Sequence, residues 1–166
     1  MMKINFVAVL IATLVPMVLG FIWYHKKVFG KTWMEESGMS EEKAKGANMP
    51  LIFGLSFVFS FLLAFILQPA VIHQFAITSL FYKTPVEDVT SPEGALFKQI
   101  MDMFGHSWRT FKHGSLHGFI IGFFLVMPVF ATNALFERRS FKYVAINVGY
   151  WIVALAIMGG IISCME

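Results

Sequence analysis

Apolar residues fall into four long blocks that contain no Asp, Glu, Lys or Arg. These blocks cover residues 4–24, 47–82, 114–136 and 143–164. A helix of about 20 apolar residues crosses the hydrocarbon core of a bilayer, which is about 30 Å thick. The pattern therefore predicts an all-α membrane protein, a single four-span domain over 1–166, with spans near 4–24, 50–74, 114–136 and 143–164.

The first two blocks need interpretation. Block 4–24 resembles a signal peptide in following a basic residue, but it is longer than the usual apolar stretch of about 7–15 residues and ends in aromatic rather than small residues. We interpret it as a retained helix.

In the second block, Gln68, Pro69, His73 and Gln74 interrupt the apolar run. That span is expected to end as a tilted helix near the membrane surface.

An amphipathic pattern precedes the third span. Over residues 96–112, aromatic and aliphatic side chains recur at helical spacing and leave the polar residues on the other side: Phe97, Ile100, Met101, Phe104, Trp108 and Phe111. This periodicity predicts an amphipathic helix at the membrane interface, with those aromatic residues in lipid or against other helices.

Composition supports the membrane class and excludes others. The chain is 57% apolar and 14% charged, with a mean hydropathy of +0.69, whereas a soluble domain is about one quarter charged. Its single cysteine, Cys164, rules out an internal disulfide. The net charge is +3, but basic and acidic residues are interspersed, which argues against a nucleic-acid partner.

The basic residues also predict an orientation. Four crossings place five of them on the side of the termini: Lys3, Lys83, Lys98, Arg109 and Lys112. Eight lie on the other side: Lys26, Lys27, Lys31, Lys43, Lys45, Arg138, Arg139 and Lys142. Because basic residues concentrate on the cytoplasmic side, both termini are expected outside, in the periplasm if the membrane is a bacterial inner membrane.

Histidines provide the candidate chemistry. On one continuous helix, Asp102, His106, His113 and His117 would lie within about 60° of one another. His73 is expected on the same side of the membrane. Two interpretations stay open: these residues form the wet face of the interfacial helix, or they bind a metal ion or haem. Binding of a metal ion or haem lacks a motif to support it, because the sequence contains no HExxH and no CxxCH.

Glycines supply candidate packing positions in the last two spans. Gly114, Gly118 and Gly122 recur every fourth residue, and Gly149 and Gly160 lie on small faces of the last block. Such faces let two membrane helices approach closely. They predict packing within the chain or between subunits.

Several short motifs resemble the family catalogued as Domain of Unknown Function 1761 (DUF1761), which consists of small bacterial membrane proteins. Residues 23–33 read WYHKKVFGKTW, and the second half carries HG at 113–114, Pro128 followed by LFERRS at 135–140, and NVGY at 147–150. The likeness covers about half the chain, and the long 68–112 segment resembles that of Bacteroidota members. The resemblance implies a four-span inner-membrane protein and no catalytic residues.

Three functions remain open from the sequence. The preferred one is a protein without a catalytic site, not an enzyme, that needs no cofactor and acts by helix packing as an oligomer or as an accessory subunit of an envelope complex. The second is a small-molecule, lipid or ion conduit formed by an oligomer. The third is a metal or haem protein that uses the histidine stripe. In each case the surroundings are the lipid bilayer and the partner is a second copy or another membrane protein.

Overall fold

The computed structural model describes residues 3–165, and every regular element in that range is helical. The helices are α1 (Phe6–Trp23), α2 (Gly30–Ser37), α3 (Glu41–Lys45), α4 (Met49–Val71), α5 (Gln74–Leu80), α6 (Pro92–Phe104), α7 (Phe111–Ile121), α8 (Met127–Phe136) and α9 (Phe141–Cys164). A π-helical turn, Gly122–Val126, joins α7 to α8 into one continuous helix.

Four of the helices are long and apolar enough to cross a membrane: Phe6–Trp23, Met49–Val71, Phe111–Phe136 and Phe141–Cys164. The predicted four-span architecture is thus confirmed, with small changes at the boundaries. The second span ends at Val71 rather than near residue 74, because the backbone of Ile72 is extended. The third begins at Phe111 rather than Gly114, because the Thr110 side chain caps it by accepting a hydrogen bond from the His113 N–H.

The spans run alternately up and down, so the bundle has two distinct ends. The starts of α1 and α7 and the ends of α4 and α9 form what we call the histidine end. The opposite end, called the hairpin end, carries the segment 24–48 and the tight connection between α8 and α9 at residues 137–140. Asn5 and Gln68 join α1 to α4 at the histidine end, where the Asn5 N–H donates to Gln68 Oε1 over 3.1 Å.

The buried core lies mainly in the half of the bundle nearer the histidine end. Its members come from α1, α4 and α9 and the residue that follows α4: Val9, Ala12, Ala64, Leu67, Val71, Ile72, Leu155, Met158 and Ile162. Small residues in α1 and α4 allow these two helices to come close there. Many other apolar side chains are exposed, such as Phe21 and Ile66, as expected for helices surrounded by lipid.

Aromatic residues hold α1 against α9 in the other half. The Tyr150 hydroxyl donates to the carbonyl of Pro16 over 2.7 Å, and Trp23 Nε1 donates to the carbonyl of Ile146 over 3.1 Å. At the end of α1, the Tyr24 hydroxyl donates to Asn147 Oδ1 over 3.1 Å. Polar groups of α9 are therefore satisfied by α1, which avoids the cost of an unpaired polar group in lipid.

The π-helical turn has a local cause. Pro128 has no N–H to donate to the preceding turn, and its ring would crowd the carbonyl of Phe124 in a regular α-helix. The wider turn at Gly122–Val126 relieves this conflict four residues earlier. The third span therefore continues past the proline.

The predicted amphipathic helix over 96–112 is corrected by the structure. An amphipathic helix does precede the third span, but it covers Pro92–Phe104, and residues 105–110 form a turn before α7. Trp108 lies in this turn with φ of 65°, a left-handed conformation that no helix accommodates. Phe97 is buried, whereas Phe104 and Trp108 are exposed in the isolated chain.

Candidate metal centre

Three histidines meet at the histidine end of the bundle. His73 follows α4 by two residues, while His113 and His117 lie one turn apart at the start of α7. We call these three residues the histidine cluster. Each offers one ring nitrogen, and these nitrogens all lie within 4.8 Å of one another.

The three rings form a nearly equilateral triangle. Ring centroids are 5.0 Å apart for His73 and His113, 4.9 Å for His73 and His117, and 4.6 Å for His113 and His117. The Nε2 atoms of His73 and His113 are 2.9 Å apart, a hydrogen-bond distance. The cluster therefore converges on one point rather than spreading along a helix face.

This arrangement suits a transition-metal ion. Imidazole nitrogens bind Zn²⁺ at about 2.0–2.1 Å, so two nitrogens on one tetrahedral ion are about 3.3 Å apart. The observed separations of 2.9 Å and up to 4.8 Å bracket this value. His73 is exposed, so its ring can rotate and adjust its distances to the other two. Within residues 3–165 the group contains no fourth ligand side chain, which leaves a coordination position for water or another ligand.

His73 is positioned by the residues on either side of it. Ile72 is buried and extended, which ends α4 and turns the chain toward α7. Gln74 is buried as well, and its Nε2 donates to the carbonyls of Phe104 over 2.6 Å and Ser107 over 2.9 Å. These bonds attach the residue after His73 to the turn that leads into α7.

The turn between α6 and α7 positions the other two histidines. Arg109 Nε donates to the carbonyl of Ser163 over 2.9 Å, and Nη2 donates to that of Met165 over 2.7 Å. Arg109 thus satisfies carbonyls at the end of α9, which have no partner within the helix. The Trp108 ring lies 5.3 Å from the His113 ring, measured between centroids. The turn consequently fixes the start of α7 and covers one side of the cluster.

Two of the predicted ligands lie outside the cluster. Asp102 is in α6, where it forms an ion pair with Lys98 one turn earlier. His106 lies in the turn after α6 and does not belong to the group of converging ring nitrogens. The sequence interpretation placed Asp102, His106, His113 and His117 on one helix. The break at residues 105–110 instead puts Asp102 in α6, His106 in the turn, and the other two in α7. Of the predicted set, the structure brings together His73, His113 and His117.

The glycines predicted as packing positions lie between helices of the same chain. On α7, a Cβ at Gly114 or Gly118 would overlap the backbone of Gly159 or Leu155 in α9. A Cβ at Gly122 would lie 2.8 Å from the Ile152 Cα. In α9, Gly160 lies against Ser115 and Phe111 of α7, and Gly149 faces the Trp23 ring of α1, 3.3 Å from the place of a Cβ. This close approach fixes the rotation of α7 and so the direction of its two histidines.

Sequence reasoning missed Gln74, Arg109 and Thr110 as positioning residues. A threonine directly before an apolar run is a helix N-cap signal, and it would have placed the start of α7 correctly. The roles of Gln74 and Arg109 depend on backbone carbonyls distant in sequence. No local pattern reveals such bonds.

Comparison with known proteins agrees with the motifs. The family model described as Protein of unknown function (DUF1761) matches residues 7–163. The chain belongs to the DUF1761 family. The match covers nearly the whole chain, including the 68–112 segment, whereas the motifs alone indicated about half. No curated protein and no solved structure matches this DUF1761 member.

Proposed function

We propose that this protein binds a divalent transition-metal ion, Zn²⁺ or Cu²⁺, through His73, His113 and His117. The main support is that their ring nitrogens lie within 4.8 Å of one another, although the residues come from two segments distant in sequence. Three imidazoles with an open fourth position are the ligand set of catalytic zinc sites, and imidazole also suits copper. A metal ion is supported over haem, because three imidazoles converge on one point, whereas the iron of a haem has only two axial positions for protein ligands.

We also propose which side of the membrane the histidine cluster faces. The hairpin end carries eight basic residues and the histidine end five, which favours a cytoplasmic hairpin end. The histidine cluster then opens toward the periplasm of a bacterial inner membrane, where it meets metal ions that enter from outside.

The metal would also have a structural effect. His73 follows α4 by two residues, and His113 and His117 belong to α7. A bound ion links these two helices and is expected to raise the melting temperature, by an amount that grows with the logarithm of the metal concentration divided by Kd.

Assembly into an oligomer, a conduit or an envelope complex stays a prediction. The glycine faces that prompted it are occupied within the chain, by contacts between α7 and α9 and between α1 and α9. They give no separate support for a second copy.

The test is a metal titration of the purified full chain in detergent. We expect one Zn²⁺ or Cu²⁺ per chain, and no saturable binding of Mg²⁺, which prefers oxygen ligands. His113→Ala and His117→Ala should each weaken binding by more than the ~10–100-fold that loss of an outer-shell partner costs.

Two histidines outside the cluster provide matched controls. His106→Gln alters the same end of the protein, and His25→Gln alters the hairpin end. Both variants should bind as the unaltered chain does. Binding that persists in the double variant His113→Ala/His117→Ala, or that disappears in His106→Gln alone, would contradict the proposed ligand set.

A further inference from the structure

The chain between α4 and α7 forms an arm at the histidine end of the bundle. We use the name arm for residues 74–110, which comprise α5, α6 and the turn before α7. Phe75, at its start, packs against the core of the bundle. Within the described chain, however, α6 makes no extensive contact with any spanning helix, unlike α7, which packs along α9. The arm is therefore held to the bundle mainly at its two ends.

The arm has a small buried core of its own. Val86 and Phe97 are both buried, and neither belongs to the cluster of buried residues that forms the core of the bundle. The Phe97 ring contacts that of Phe81 edge to face, with ring centroids 5.1 Å apart. A segment with its own core can open as a unit while the rest of a protein stays folded. We expect the arm to behave in this way.

The contacts that close the base of the arm also carry a cost. Gln74 Nε2 joins the first residue of the arm to its last turn by donating to the carbonyls of Phe104 and Ser107. The Gln74 Oε1 atom is buried without a hydrogen-bond partner among the described residues, which is unfavourable. Trp108, in the same turn, has a left-handed backbone, which is unfavourable for a residue other than glycine. Without metal, the closed arm is therefore expected to be only weakly favoured.

The histidine cluster spans the same base. His73 directly precedes the arm, whereas His113 and His117 follow it in α7. An ion bound by all three imidazoles joins the residue before the arm to the helix after it. The loop that it closes contains residues 74–112, and metal ions that close long loops are expected to stabilise most.

Opening of the arm and loss of a metal ligand are coupled. Here opening means that α5 and α6 leave the bundle while the spans stay folded. The Gln74 bonds hold the backbone on one side of His73, so breaking them frees the His73 ring to leave the cluster. The open arm then offers the ion two imidazoles instead of three. A ligand that binds one of two states more tightly shifts the population toward that state.

We infer that the metal ion controls the arm: bound to His73, His113 and His117, it holds the arm closed on the histidine end, and its release allows the arm to open. This inference rests on the proposed metal binding and names what the bound ion regulates. The concentration of metal on that side of the membrane then sets the fraction of chains with a closed arm.

The experiment is hydrogen–deuterium exchange of the full chain in detergent, with and without saturating Zn²⁺. Native mass spectrometry of the same samples counts the bound ions. Loss of a direct ligand costs more than the ~10–100-fold of an outer-shell partner, so Zn²⁺ should slow exchange in α6 by at least about tenfold. Exchange in α2, at the hairpin end, should not change.

His73→Ala separates control of the arm from metal binding. The side chain is exposed, so the fold should survive, and His73→Gln repeats the test if it does not. Zn²⁺ at higher concentration should still bind to His113 and His117, because two histidines one turn apart on a helix can share an ion. Exchange in α6 should then be equal with and without metal. His25→Gln, at the hairpin end, should retain the slower exchange.

A second pair of variants tests the core of the arm in the absence of metal. Phe97 is 9% exposed and its neighbour Leu96 is 50% exposed. Phe97→Ala should speed exchange in α6 by more than about tenfold, because it removes a buried ring, and should leave exchange in α9 unchanged. Leu96→Ala should alter neither. Faster exchange in α9 as well would show that the arm does not open separately.

The outcomes distinguish the two proposals. A chain that binds one Zn²⁺ while exchange in α6 stays the same would overturn control of the arm and leave the metal site intact. Slower exchange that persists in metal-loaded His73→Ala would also overturn it, because the ion would then act without joining the base of the arm. A chain that binds no Zn²⁺ would overturn the proposed function itself.

Discussion

Gly118 of α7 and Leu155 of α9 are in direct backbone contact: a Cβ on the glycine would overlap the leucine carbonyl oxygen. This contact, repeated one turn to either side at Gly114 and Gly122, holds the third and fourth spans together. Because α7 carries two of the three clustered histidines, its packing against α9 determines where those rings point.

The first prediction concerns this contact. Gly118→Leu should lower the free energy of unfolding by about 1–3 kcal/mol, the usual cost of overpacking. Thermal unfolding in detergent measures it. The matched control is Gly54→Leu, because a side chain there enters open space. An equal effect of the two substitutions would show that the contact with Leu155 does not matter.

The second prediction compares two buried glutamines. Gln74→Leu removes the bonds that attach the segment after His73 to the turn before α7, so metal affinity should fall about 10–100-fold, as for loss of an outer-shell partner. Gln68→Leu removes the bonds to Asn5 instead. It should lower the melting temperature and leave the affinity unchanged. Zn²⁺ titration with a parallel melting curve separates the two effects, and an unchanged affinity in Gln74→Leu would contradict the positioning role.

The third prediction uses Trp108 as a reporter. Its ring lies 5.3 Å from that of His113, so Cu²⁺ at the histidine cluster should quench its fluorescence. Trp108→Phe should remove most of the quenching that a stoichiometric addition of Cu²⁺ produces. Quenching of equal size in Trp108→Phe would place the copper near another tryptophan.

The fourth prediction concerns orientation. In a Cys164→Ala background, a cysteine at Val89 should react with a membrane-impermeant thiol reagent added to intact cells, and a cysteine at Ala44 should react only after the membrane is opened. Both positions are exposed. The reverse pattern would mean that the bundle is inverted and that the histidine cluster faces the cytoplasm.

The sequence predicted the four spans well because long charge-free blocks have few alternatives in a bilayer. It also placed His113 and His117 on one helix face and His73 on the same side. It failed at residues 105–110, where a smooth amphipathic pattern continues across a real helix break. Trp108 adopts a left-handed conformation there, and the bonds of Arg109 to the end of α9 hold the turn. These are tertiary interactions, which no helical periodicity reveals.

A cavity of about 510 Å³, lined by residues of α1, α2, α4 and α9, was also absent from the sequence prediction. Its lining residues are mostly apolar or aromatic, and such residues look the same in sequence whether they face lipid, another helix or a cavity.

X-ray absorption spectroscopy of the Zn²⁺-loaded protein tests the central claim most directly. The account predicts a first shell with three imidazole nitrogens at about 2.0–2.1 Å and one further ligand, such as a water oxygen. In His117→Ala the imidazole contribution should fall by one third, and in His106→Gln it should not change. A shell of oxygen ligands alone, or an imidazole contribution that survives the loss of His73, His113 and His117, would contradict a metal centre at the histidine cluster.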